Sequence, residues 1–174
     1  MHKVSIIGAG NVGATTAYYL AVRNLAEVVM VDVNGSLARG KAMDLLHAAP
    51  ALACSVPVSG TESYSAIEGS DVVVHTAGIA RKPGMDRMDL LRTNVGIARA
   101  AAGEIARYAP GAIVIVVANP LDIISFVMAR ATGFERSRVI GMAGVLDAAR
   151  YRFFIAERLR VLPSSVSAMV LGGH

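Results

Sequence analysis

Short apolar runs alternate along this chain with longer stretches whose apolar positions recur at helical spacing. Val4 to Ile7, Glu27 to Val31, Cys54 to Ser59, Asp71 to Thr76, Ala112 to Val117 and Arg138 to Ile140 read as strands. The fifth run is continuously apolar, the pattern of a parallel strand covered on both faces. Between the strands the spacing predicts a helix from Ala14 onward, one over Ser36 to Ala48 with Ser36 as N-cap, and a short helical turn over Tyr64 to Ser70. It then predicts a long helix over Met88 to Tyr108, where Leu90, Leu91, Val95, Ala98 and Ala102 fall on one face, and another through Ala131 capped by Asp122. Six strands with intervening helices and right-handed crossovers predict an α/β fold, a doubly wound parallel sheet of order 3-2-1-4-5-6. Pro57 lacks an N–H for the ladder and so places the third strand at an edge.

Beyond the sixth strand the pattern changes. A helix over Ala143 to Leu159 and a strand over Val166 to Leu171 lead to Gly172, Gly173 and His174, and this strand has no partner in the pattern. The expected organisation is a dinucleotide-binding domain over residues 1–144, with residues 145–174 the opening of a second domain whose remainder is absent.

Composition narrows the function classes. Apolar residues make up 54% and charged residues 17%, which suits a buried α/β core. No apolar run reaches the roughly 18 residues of a membrane span, so no membrane partner is expected. The chain opens at once on a strand, which leaves no room for a signal peptide and makes a cytoplasmic location the expectation. Cys54 is the single cysteine, expected as an inert, buried strand residue. The net charge of +4 comes mostly from scattered arginines without a nucleic-acid motif, so an anionic small molecule accounts for it better than nucleic acid. His47 reads as a packing or surface residue and His75 as a buried histidine with its hydrogen bonds satisfied.

Candidate chemistry begins where the first strand breaks into Gly8-Ala9-Gly10-Asn11-Val12-Gly13. Gly8 permits a tight exit from the strand, Gly10 lets the backbone approach a pyrophosphate with no Cβ in the way, and Gly13 lets the helix lie close on the strand. Helix-start amides and the helix dipole then attract the phosphates. An ordinary βαβ turn can also be glycine-rich. Here, however, Asp32 ends the second strand about 20 residues on, as a dinucleotide fingerprint requires. Its carboxylate can accept both ribose hydroxyls and repels a 2′-phosphate, which predicts NAD.

Six ordered motifs then bring the chain close to a known family. GAGNVG at Gly8 to Gly13, VD at Val31-Asp32, TAGIARKPGMDR from Thr76 to Arg87, VVANPLD from Val116 to Asp122, GMAGVLDAARYR from Gly141 to Arg152 and MVLGGH from Met169 to His174 cover essentially the whole length. The chain resembles the N-terminal part of the lactate/malate dehydrogenase family, on its malate-using side. The resemblance implies that His174 is the catalytic acid/base for hydride transfer between a 2-hydroxy acid and NAD, with Asp147 orienting its ring and stabilising the imidazolium. It further implies that Arg150 takes the substrate's C1 carboxylate, that Arg87 polarises the reacting carbonyl, and that Arg81 binds the second carboxylate, which malate and oxaloacetate have and lactate lacks. Lys82 beside it reads as a solvated charge. Asn119 would bond substrate and cofactor together, with Asn94 and Val117 as further cofactor contacts beside Gly8, Ala9, Gly10, Asn11, Val12, Gly13 and Asp32. No metal site is implied, and dimers or tetramers are. Met88 departs from the family pattern, which more often has an acid there. Three other readings stay open: a lactate dehydrogenase, which Arg81 disfavours, a catalytically silent NAD-binding module, and, least favoured, a nucleic-acid-binding protein.

Overall fold

The computed structural model describes residues 1–80 and 84–172 of the chain. Six strands, β1 (Lys3–Ile7), β2 (Glu27–Val31), β3 (Val58–Thr61), β4 (Val72–His75), β5 (Ile113–Val116) and β6 (Val139–Gly141), form one sheet. Their order is β3-β2-β1-β4-β5-β6 and every pair is parallel, as the alternating pattern predicts. The helices are α1 (Asn11–Val22), α2 (Gly35–Ala48), α3 (Arg87–Tyr108), α4 (Leu121–Thr132) and α5 (Gly144–Leu159), with short 3-10 turns at Tyr64–Ile67, Arg136–Arg138 and Pro163–Ser165.

Because strand side chains alternate between faces, the sheet builds two cores. On one face Val28, Met30, Ile6, Val58 and Val74 pack against Ala17 and Ala21 of α1 and Ala38 and Ala42 of α2. On the other, Ile7, Val31, Val73, Val114 and Val116 meet Ala98, Ala102 and Ile105 of α3 and Ile124 and Met128 of α4. Alanines on the helix faces let the helices lie close. Ser5 is the polar exception inside β1: fully buried, it meets the Ser70 hydroxyl at 2.7 Å, and Ser70 donates to the Ile67 carbonyl, so Ser5 is the donor of the pair.

Several boundaries differ from the sequence expectation, each for a local reason. The cap of α2 is Asn34, whose Oδ1 accepts from the Leu37 amide at 3.1 Å, and Ser36 sits inside the first turn. Asp122 likewise lies within the first turn of α4, where a carboxylate favours the helix dipole, and Pro120 holds the cap position. The third strand starts later than expected, since Cys54 and Leu52 return their amides to carbonyls at the end of α2 and Ser55 donates to the Asn24 side chain. Cys54 is therefore a half-buried loop residue. Pro57 comes just before β3, which is the sheet edge, and its carbonyl accepts from Val28. The strand expected over Val166 to Leu171 does not form. A strand exists through its ladder, and among the described residues nothing pairs with this segment; Arg152 instead holds it beside α5 by donating from Nε to the Val166 carbonyl at 2.7 Å.

Ala156 is the only buried residue of α5, while Val145, Tyr151, Phe153, Phe154 and Leu159 are exposed. No described helix is long and apolar enough to cross a membrane.

Candidate functional site

The turn between β1 and α1 is built as the glycine spacing predicts. Gly8 has φ +101°, which a side chain would resist, and its amide donates to the Val31 carbonyl at 2.7 Å, locking the turn to β2. Gly10 takes the N-cap position with no side-chain cap, and Ala14 is the first residue to bond back into the helix, through the Gly10 carbonyl at 2.9 Å. Among the described residues the amides of Asn11, Val12 and Gly13 therefore have no acceptor, and the first turn holds no acidic side chain. Free donors and an uncompensated dipole make this helix start an anion site.

Asp32 joins the turn to β2. One carboxylate oxygen accepts from the Ala9 amide at 2.7 Å and the other from Asn34 at 2.8 Å. Beside it opens a cleft of about 320 Å³ at the carboxyl ends of β1, β2 and β4, where the strand order reverses. Val33, Leu37, Tyr64 and Ile97 give it apolar walls, and Gly8, Gly10 and Asp32 the polar end. Sequence reasoning places Tyr64 in a helical turn and assigns it no role. Burial, and then the charges of Glu104 and Asp32, push its phenol above the ordinary tyrosine value, so the residue lines the cleft as a neutral phenol. A larger hollow of about 630 Å³ lies at the opposite ends of the strands, by His2, Asp71 and Tyr108, away from the glycine turn.

At the other side of the turn Asn94 of α3, 4% exposed, connects two loops. Its Oδ1 accepts from the Ile79 amide at 2.9 Å and its Nδ2 donates to the Asn119 carbonyl at 2.9 Å. Asn119 itself, joined to Pro120 by a cis peptide, is exposed, and its side chain has no hydrogen bond among the described residues. Val117 stands just beyond β5, its amide donating to the His75 carbonyl at 2.9 Å.

The arginines are placed by helix starts. Arg87 opens α3 behind Asp86, whose carboxylate accepts from the Asp89 amide at 2.6 Å and so fixes where the helix begins. On α5, Asp147 and Arg150 share a face and meet at 3.4 Å, half exposed. Arg81, Lys82 and His174 lie outside the described residues.

His75 corrects an expectation. It is fully buried, yet among the described residues neither ring nitrogen has a hydrogen-bond partner. Its register neighbours are Ile7 and Val116, members of the apolar core. Burial pushes its pKa down to about 4. Below the ordinary histidine value near 6.5 the unfolded chain takes up a proton that the folded chain refuses, so stability falls as pH drops from about 6.5 to about 4, by roughly 3 kcal/mol in total. His75→Leu should remove this slope: urea midpoints at pH 7 and 4.5 should converge in the variant, and an unchanged difference from the parent would contradict the assignment.

A family model described as the lactate/malate dehydrogenase NAD-binding domain matches residues 2–141. The malate dehydrogenase of Thermomicrobium roseum is 56% identical over 172 residues, 99% of this chain and 56% of that protein. That of Methanosarcina mazei is 52% identical over 174 residues, 100% of this chain and 57% of its own length. Among solved structures, the apo malate dehydrogenase of Picrophilus torridus superposes with a TM-score of 0.94 at 42% identity, covering 99% of this chain and 55% of that one. A Cryptosporidium parvum lactate dehydrogenase complexed with lactic acid and nicotinamide adenine dinucleotide gives 0.94 at 41% identity, covering 99% and 55%. The chain thus spans about half the length of the relatives it matches.

Proposed function

The chain belongs to the lactate/malate dehydrogenase family and carries its NAD-binding domain, and from that premise we propose that it is the cofactor-binding half of an NAD-dependent malate dehydrogenase. The observation that carries the cofactor reading is the Asp32 carboxylate bonded to the Ala9 amide, at the same end of the cleft as Gly10, the N-cap residue of α1, whose start has no side-chain cap. These residues fit NAD: the amides of residues 11–13 would hold the pyrophosphate, Asp32 would accept from the adenosine ribose hydroxyls, and Leu37 and Tyr64 would offer apolar surface to the adenine. When bound, NAD supplies the hydride acceptor.

The remaining roles rest on the resemblance. His174 takes the hydroxyl proton of malate as hydride leaves the same carbon, Asp147 stabilises the imidazolium, Arg150 holds the C1 carboxylate, and Arg87 steadies charge developing on the carbonyl oxygen. Asn119 orients the substrate, and Arg81 selects a dicarboxylate. Residues 145–174 begin the substrate-binding part, which explains why the aromatic and aliphatic side chains of α5 stand exposed. A homo-oligomer in the cytoplasm completes the reading. A lactate dehydrogenase remains the second reading, and Arg81 disfavours it: without a second carboxylate it would be left unpaired in the site.

Titrating both cofactors into the protein by calorimetry tests the proposal. Like charges a few ångströms apart in a partly buried site cost roughly 1 to 3 kcal/mol, so NAD should bind about 5- to 150-fold more tightly than NADP. Asp32→Ser should narrow the gap. Equal affinities in the parent, or binding of neither, would refute it.

A further inference from the structure

Asn94 does something that a simple cofactor contact does not require. Both of its amide hydrogens and one of its acceptor lone pairs are spent on main chain: Oδ1 on the Ile79 amide, Nδ2 on the Asn119 carbonyl at 2.9 Å and, at 3.4 Å, on the Ile79 carbonyl. The carboxamide also lies against Gly78, where a Cβ would stand 3.4 Å from its oxygen. Among the described residues these are the hydrogen bonds that tether residues 77–80, the segment that precedes Arg81 in the chain. The same side chain fixes the backbone of Asn119, whose own side chain has no hydrogen bond among the described residues. With the donors used and 4% exposure, the one lone pair left on Oδ1 is all that Asn94 can offer a ligand.

We propose that Asn94 is a positioning residue that couples residues 77–80 to Asn119, so that the nicotinamide end of the cofactor site is set as one unit. This rests on the NAD-dependent reading above. Serine or aspartate cannot replace it, because the bridge needs an acceptor and a donor fork on one short, rigid group, aimed at two loops from one helix turn.

Two variants separate the halves of the bridge. Asn94→Ala removes both, while Asn94→Asp keeps the acceptor for the Ile79 amide and loses the donors to the Asn119 and Ile79 carbonyls. The readouts on the 174-residue chain are amide exchange at Ile79 and calorimetric binding of NAD and of ADP-ribose, which lacks the nicotinamide. In Asn94→Ala the Ile79 amide should exchange at least about 10-fold faster while amides of Val73 and Val114 keep their protection. Asn94→Asp should keep the Ile79 amide protected. Both variants should bind NAD about 10-fold more weakly and ADP-ribose as the parent does. Unchanged NAD affinity in Asn94→Asp, unchanged Ile79 exchange in Asn94→Ala, or an equal loss of NAD and ADP-ribose binding would each overturn the coupling. Failure of the parent to bind NAD would instead strike the cofactor reading itself.

Discussion

Gly10→Ala should leave the fold intact and weaken NAD binding on the order of 100-fold, whereas Gly13→Ala, three residues on, should destabilise the whole chain. A methyl at Gly10 meets nothing within 4 Å, and the residue's φ of −67° suits alanine. On the proposed reading, the same methyl would intrude where the pyrophosphate approaches the helix-start amides. Losing one or two charge-assisted hydrogen bonds there, at roughly 1.5 to 3 kcal/mol each, weakens binding on the order of 100-fold. At Gly13 a methyl would overlap the Gly8 carbonyl oxygen and stand 2.9 Å from Thr76 Oγ1. Neither neighbour can retreat. Gly8 is locked to Val31 through its amide, and Thr76 donates to the Ile7 and Gly8 carbonyls. Relief therefore means lifting α1 from the sheet, at roughly 3 kcal/mol or more. Urea midpoints and NAD titrations on both variants check this: Gly10→Ala should lose affinity at an unchanged midpoint, and Gly13→Ala should lose the midpoint. Parallel behaviour of the two would contradict the geometry.

Arg81→Gln, in the enzyme completed with the C-terminal half that its relatives carry, should lower kcat/KM for oxaloacetate by at least two orders of magnitude and raise relative activity on pyruvate. A buried carboxylate deprived of its guanidinium costs roughly 3 to 5 kcal/mol, and each factor of ten in rate is about 1.4 kcal/mol. Pyruvate has no second carboxylate to strand, so it does not share the loss. The ratio of the two specificity constants is the measurement, and a ratio unchanged from the parent would remove Arg81 as the selector.

The sheet was legible because its signals are local and repeated. Each buried parallel strand is a short apolar run, and right-handed crossovers leave few ways to order six of them. The glycine turn was legible because each glycine answers one steric demand, which the structure shows at Gly8 and Gly13. Features that escaped depend on contacts distant in sequence. Tyr64 enters the cleft only because β3 pairs with β2 and brings the following turn beside Asp32. The Asn94 bridge joins residues 15 and 25 positions away, so a polar residue in a helix gave no hint of two loops. His75 was expected to find partners because most buried polar groups do, and its neighbours Ile7 and Val116 offer none. The cap of α2 fell on Asn34 and not Ser36, a two-residue choice between equally good capping residues. The segment over Val166 to Leu171 has strand composition without a ladder, and composition alone does not make a strand.

On the proposed reading NAD binds at the turn from Gly8 to Gly13, with Asp32. An amide chemical-shift titration of the 18.1 kDa chain with NAD tests it residue by residue. The amides of Ala9, Asn11, Val12 and Gly13 and those flanking Asp32 should move first and furthest, with Tyr64 and Gly78 next. Shifts confined to the hollow by His2 and Asp71, or none at the glycine turn while NAD binds, would contradict it.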